Sequence, residues 1–190
     1  MTNRLCQKLL CAALLTVSVA MLSPVTAEQA YRNYRNARFG VSADVPSDWK
    51  AGREPDNQDG LVFSSPDGAA TIIVSGILNA DDAPAREVIA GEQRAQDGET
   101  VTYRKADARQ AVISGTRGDM IFYRKAILSC GDQVLNHLVI EYPAAQKQAF
   151  DTLVSHVAAS MRSSPGEQIS KCRSCHAYMT SSILPGADFS

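Results

Sequence analysis

"MIFYRKAILSCGDQVLNHLVIEYP", Met120 to Pro143, decides how this chain folds. Met120–Ser129 is rich in β-branched and aromatic residues, whose side chains suit a pleated, half-buried surface. Cys130-Gly131-Asp132 carries turn chemistry, Val134–Tyr142 is a second strand, and Pro143 stops it. A link this short implies an antiparallel pair.

The readings on either side agree with a sheet. Downstream, Ala144–Met161 predicts a helix, because Phe150, Leu153, Val154, Val157 and Met161 recur at helical spacing. Upstream, Thr100–Ala106 and Ala111–Gly115 are short extended segments. Ala83–Gln96 is a second helix closed by Gly98, with Pro84 in its first turn. Its apolar face (Ala85, Val88, Ile89, Ala95) is thin, so it should lie on a sheet surface. Asp81-Asp82 resemble general acid–base equipment, but at a helix start they read as capping carboxylates.

Further upstream, Phe39–Val45 alternates, with Phe39, Val41, Ala43 and Val45 on one side. Pro46-Ser47-Asp48 turns the chain, Trp49 caps the core edge, and Lys50–Gly60 is a loop. Leu61–Ser64 and Ala69–Ile77 are strands joined by Ser65-Pro66-Asp67-Gly68, a hairpin turn and not a phosphate cradle. "YRNYRNARF", Tyr31–Phe39, reads as a solvated arm leading into the first strand. Three strands, a helix, about four strands and a helix make a single-domain α+β fold. Its antiparallel sheet has about six to seven strands covered by two main helices.

The N-terminus indicates a compartment. Arg4 and Lys8 precede an apolar run, Leu9–Leu22, followed by Ser23-Pro24 and the small exit residues Val25-Thr26-Ala27. That is the layout of a secretory signal peptide, residues 1–27, and the run is too short to span a bilayer. The mature chain is expected to start at Glu28 and to be periplasmic or secreted, with no stable membrane insertion after cleavage. Domain boundaries follow: a body over residues 28–162, and a flexible C-terminal tail over 163–190. Nineteen basic and 20 acidic residues nearly cancel, to a net charge of −1, and form no long blocks. That argues against a nucleic-acid partner. The expected partner is another exported protein or a small ligand.

"ARFGVSADVPSDW" (Ala37–Trp49), "DGLVFSSPDGAATIIVSG" (Asp59–Gly76) and "VIEYPAAQKQAFDTLVSHVAASMR" (Val139–Arg162) resemble small exported proteobacterial proteins of unknown function with a PsbP-like fold, the fold of an extrinsic photosystem subunit. The resemblance runs from about Tyr31 to Arg162 and implies an adaptor or accessory role. It supplies no catalytic residues.

Outside it lies "SKCRSCHAY", Ser170–Tyr178. Cys172, Cys175 and His176 form the CxxCH pattern of covalent haem c attachment: two thiols take the two vinyl groups and the imidazole binds the iron. "GEQISKCRSCHA", Gly166–Ala177, resembles the opening of a small cytochrome c domain, which implies Cys172 and Cys175 as thioether positions and His176 as the iron ligand. The residues after His176 are too few for the remaining helices of such a domain. Met179 is too near His176 to reach the opposite side of the iron. A sixth ligand would come from His137, His156, Met161, water or another chain. Three alternatives stay open: a disulfide between Cys172 and Cys175, or between one of them and Cys130; zinc on the two thiolates and His176; or a thiol redox pair. After leader removal Cys130, Cys172 and Cys175 remain, an odd number. His137, on the face shared with Leu135 and Val139, reads as a structural histidine, and His156 as solvent-facing.

No serine sits in a nucleophile-elbow pattern, so the catalytic set is none and an enzyme is the less favoured class. The leading function is an exported non-enzymatic accessory or binding module. The alternative is electron transfer by a haem on Cys172 and Cys175.

Overall fold

The computed structural model describes residues 29–167. In chain order they form β1 (Tyr31–Arg35), β2 (Val41–Pro46), β3 (Lys50–Ala51), β4 (Gly60–Ser64), β5 (Thr71–Leu78), α1 (Ala85–Glu92), β6 (Glu99–Ala106), β7 (Gln110–Arg117), β8 (Met120–Ser129), β9 (Val134–Pro143), α2 (Lys147–Ser160) and β10 (Arg162–Ser163). A single 3-10 turn, Ala144–Gln146, leads into α2. A seven-stranded sheet runs β3-β4-β5-β9-β8-β7-β6, and a three-stranded one runs β1-β2-β10. Every pairing is antiparallel. This is the expected α+β class.

The β8–β9 hairpin lies inside the large sheet, in register from Met120↔Pro143 to Ser129↔Val134. Side-chain alternation then divides β9 between two faces. Leu138, Ile140 and Tyr142 enter the main core together with Phe63, Ile72 and Val74. That core is closed by α2 and by β2, whose Val41, Ala43 and Val45 have no exposed surface. Phe150 of α2 stacks on Tyr142 with ring centroids 4.7 Å apart. The Lys125 ammonium of β8 donates to the Ala158 carbonyl in the last turn of α2, at 2.9 Å, a cation at the end where helix carbonyls lack partners. On the opposite face Leu135 joins Ala111, Ala126 and Leu128 beneath Ile89 of α1.

Three expectations change in the N-terminal part of the chain. Tyr31–Arg35 is a paired strand and not a solvated arm. β2 is too deeply buried to leave its backbone groups unpaired, and β1 satisfies one edge of it. Lys50–Ala51, expected as loop, pairs with Ser64 and Phe63 as a short edge strand. Trp49 lies within the core, 4% exposed, edge-on to Phe150.

At the start of α1, Asp81 and Asp82 are not the caps. No side-chain hydrogen bond caps the first turn. Asn79 instead closes the approach: its Oδ1 accepts from the Ala83 N–H at 3.2 Å, and its Nδ2 donates to the Ala83 and Asp132 carbonyls at 2.9 and 3.0 Å. The helix is also shorter than expected, because its thin apolar face finds a surface to cover only from Ala85 to Glu92.

Past α2 the described chain stays packed through Glu167. Arg162 and Ser163 pair with β2, and the Glu167 N–H donates to the Ala37 carbonyl at 2.8 Å. Gly40 and Gly166 make this approach: a Cβ on Gly40 would collide with the Ser164 carbonyl, and one on Gly166 with that of Arg38.

Candidate functional site

The two faces of the large sheet are covered unequally. α2 and the small sheet cover the central part of one of them, leaving Leu78 and Tyr103 exposed toward its edges. On the other, α1 packs over β7, β8 and the Leu135–His137 end of β9, and the area over β4 and β5 is more open, with Val62 and Ile77 keeping exposed surface. Strand register places Val62, Ile73 and Val139 in one row across that open area. Ile77 lies on the same face of β5, opposite Leu135. Val62 is 41% and Ile77 44% exposed. Single exposed apolar side chains are ordinary. A cross-strand row of them beside half-buried neighbours, on one face of an antiparallel sheet, is a surface that a partner can cover.

Charged groups border the row. His137 of β9 meets Glu92 of α1, Nε2 to Oε2 at 3.2 Å, joining helix to sheet at the edge of the open area. Further along, Glu99 on β6 has no exposed side-chain surface. Arg124 grips both of its oxygens, at 2.8 and 3.0 Å. Arg117 reaches it at 2.7 Å and also binds Glu141 at 3.1 Å. The Gln96 N–H donates to the remaining lone pair at 2.8 Å. Burial by itself would push the Glu99 carboxyl up; the Gln96 N–H and the two guanidiniums outweigh it and hold the carboxyl below the usual glutamate range. The network therefore ties β6, β7, β8 and β9 together beside the apolar row, with Arg117 and Glu141 as its partly exposed members.

Other concave regions hold less chemistry. A groove of about 420 Å³ between α2 and β6–β7 is lined in part by Thr102, Ser114, Thr116, Tyr142, Lys147 and Asp151. Lys147 donates to both Asp151 oxygens at 2.8 and 2.9 Å. These bonds raise its pKa. In the Ser65–Gly68 turn, Asp67 accepts from Ser65 Oγ and the Ala69 N–H.

Cys172, Cys175 and His176 lie outside the described residues, as do Met179 and residues 1–27, the expected signal peptide. The body residues considered as iron ligands are not brought together. His137 faces the α1 side. His156, on α2, is more than solvent-facing: it stacks on Tyr31 at 3.8 Å and meets Asp44 Oδ2 at 3.1 Å. Met161 is 2% exposed, inside the core. Among the described residues no group of three or more His, Cys, Asp or Glu side chains could hold a metal ion. No helix among them is long and apolar enough to cross a membrane. Cys130 is disulfide-bonded.

Sequence reasoning missed the open row and the Glu99 network. A signal for the second was present: Arg124 shares its face of β8 with Phe122, Ala126 and Leu128, and a charge on an otherwise apolar face calls for a partner.

No family model matches the chain, and no curated protein matches it. Solved structures do. The solution structure of cyanobacterial PsbP (CyanoP) from Synechocystis aligns at 12% identity over 75% of this chain and 97% of its own, with a TM-score of 0.50. LpqN of Mycobacterium tuberculosis, involved in cell envelope biogenesis, aligns at 15% identity over 71% and 92%, with a TM-score of 0.48. The Ran-binding protein Mog1p of Saccharomyces cerevisiae aligns at 11% identity over 72% and 96%, with a TM-score of 0.47. The likeness to CyanoP shows that this chain has a PsbP-like fold.

Proposed function

We propose that this protein is an exported, non-enzymatic binding module that holds another protein on the open β4–β5–β9 face. The observation that carries the reading is the row Val62–Ile73–Val139 with Ile77, on the face of the sheet opposite the main core, where Val62 and Ile77 keep 41% and 44% of their surface exposed. Export is supported by the leader-like residues 1–27 and by the disulfide at Cys130, a bond that persists in oxidising compartments. The partners named for Mog1p and the setting named for LpqN belong to those proteins.

Site-specific photo-crosslinking in the producing cells tests this. A crosslinker at Ile77 or Val62 is expected to trap a discrete protein, and one at Gln148, on α2, is not. In the purified complex, the double variant V62D/I77D should weaken binding at least tenfold. Equal capture from both faces, or unchanged affinity in the variant, overturns the reading.

The competing reading is electron transfer by a covalent haem on Cys172 and Cys175 with His176 on the iron, and it rests on the CxxCH motif. It requires a red protein when the chain is made in a host that attaches haem. The binding-module reading expects a colourless one.

A further inference from the structure

We propose that the outer edge of β6 takes up an extended acidic peptide as an added strand, with side chains directed to the groove between α2 and β6–β7. β6 is the last strand of the large sheet, and among the described residues it pairs with β7 alone. A strand with one partner leaves a row of backbone N–H and C=O groups open to another chain. The opposite edge strand, β3, has two residues, whereas β6 has eight. The β6 edge is also separate from the Val62–Ile77 area, because β9, β8 and β7 lie between β5 and β6.

The register shift between Val101 and Tyr103 divides this edge in two. On one side, Glu99 is consumed by Arg117 and Arg124. On the other, Tyr103, Arg104, Lys105 and Ala106 are exposed, Tyr103 at 50%, and run in register from Ser114 to Ala111. Alternation puts Tyr103 and Lys105 on the side of Ser114, which lines the groove, and Arg104 on the opposite side. Neither Arg104 nor Lys105 belongs to an ion pair among the described residues. Arg104 Nε donates to the Gln93 carbonyl at 3.1 Å. The next acid along the chain, Asp107, holds the Arg109 and Gln110 N–H groups on its Oδ1, at 2.9 and 2.8 Å.

Charge selects the occupant. A second copy of β6, paired antiparallel about Arg104, would set one Arg104 against the other, and like charges directly opposite are destabilising. Moving the pair to bring Lys105 opposite Glu99 would centre it on Thr102, where the strand is irregular, and Glu99 already has its partners. Edge lysines hold like edges apart in this way, yet they attract a chain of the opposite sign. Acids at two successive positions of that chain would meet Arg104 on one side of the sheet and Lys105 on the other, and an apolar side chain at the next would lie beside Tyr103. An added strand runs about 4.8 Å outside β6. Its side chains on the α2 side lean over Thr102 toward a groove bounded by Ile121, Tyr142 and Val154, where Lys147 and Asp151 already pair with each other.

Fluorescence anisotropy on the full exported chain tests this. The probe is a short fluorescein-labelled peptide of glutamate pairs between β-branched residues, and its control carries lysine at every glutamate. The acidic probe is expected to bind saturably and more weakly as salt is added, and the lysine control is not expected to bind. The variant R104E/K105E should weaken the acidic probe at least tenfold. A strand on an edge turns every second N–H toward its neighbour. Methylating one alternate set of peptide nitrogens should therefore abolish binding, and methylating the other should weaken it far less. The peptide arms use the unaltered chain, so they decide the matter even where the charge-reversed variant fails to fold. No saturable binding, equal binding of the lysine control, retention by R104E/K105E or the same response to both methylated sets overturns the proposal. A dimer in sedimentation that R104E/K105E breaks would give the edge to a second copy, and would overturn it as well.

Discussion

At Glu99 a carboxylate with no exposed side-chain surface is held by Arg124, Arg117 and the Gln96 N–H. Its folded pKa lies below the ordinary value. The sign follows: the stability it contributes is complete above the unfolded glutamate pKa, about 4.3, and is lost as pH falls through the lower folded value. Urea unfolding from about pH 7 down to about pH 3 should show E99Q less stable by about 2 kcal/mol at neutral pH, the scale of hydrogen bonds to a charged group, with a flatter acid limb. Parallel acid limbs in the two proteins would falsify this assignment. Sequence could mark Arg124 as a charge on an apolar face. It could not mark Glu99 as the partner, because β6 reaches β8 only through β7, and a register shift between Val101 and Tyr103 interrupts the β6–β7 pairing.

Among the elements, α1 and β10 depend most on their neighbours. α1 has eight residues, no side-chain cap, and Ile89 as its buried anchor. Isolated helices of that length are unstable in water, so packing on Ala111, Ala126 and Leu128 holds it. Ile89→Ala should cost about 2–3 kcal/mol and speed amide exchange in α1 while leaving α2 unchanged. β10 is two residues long, yet it anchors the chain's path to Glu167. Arg35 donates to Ser164 Oγ and the Pro165 carbonyl, and buried Asn136 donates to Ser163 Oγ at 2.6 Å. Under reducing conditions, a chain ending at Glu167 should unfold at the same midpoint as the full chain. One ending at Arg162 should lose about 2–4 kcal/mol, at roughly 1 kcal/mol per net hydrogen bond. Equal midpoints for the two truncations would place the end of the folded body at Arg162 after all.

Over the whole molecule, unequal covering of the large sheet separates stability from recognition. The α2 side carries the main core, so the exposed row on the other side can change with little effect on folding. V62D/I77D should keep the unfolding free energy within about 1 kcal/mol of the wild type, as exposed substitutions do, even as it loses its partner. A large destabilisation would show that the row is part of the core.

Hydrophobic alternation and helical spacing were enough to locate the β8–β9 hairpin, most other strands and the α2 stripe, because each is a short-range pattern that one segment carries alone. Turn chemistry likewise placed Ser65–Gly68. Pairing was beyond their reach. That Tyr31–Arg35 is a strand, that Lys50–Ala51 adds an edge, that Asn79 rather than Asp81 or Asp82 closes the approach to α1, and that Ser163–Glu167 belongs with the body all depend on residues distant in sequence. The same holds for the open row, since whether Val62, Ile73, Ile77 and Val139 are core or surface is decided by where α1 comes to rest. Local pattern determined the elements; only the tertiary arrangement decided which backbone groups needed partners and which apolar side chains were left without cover.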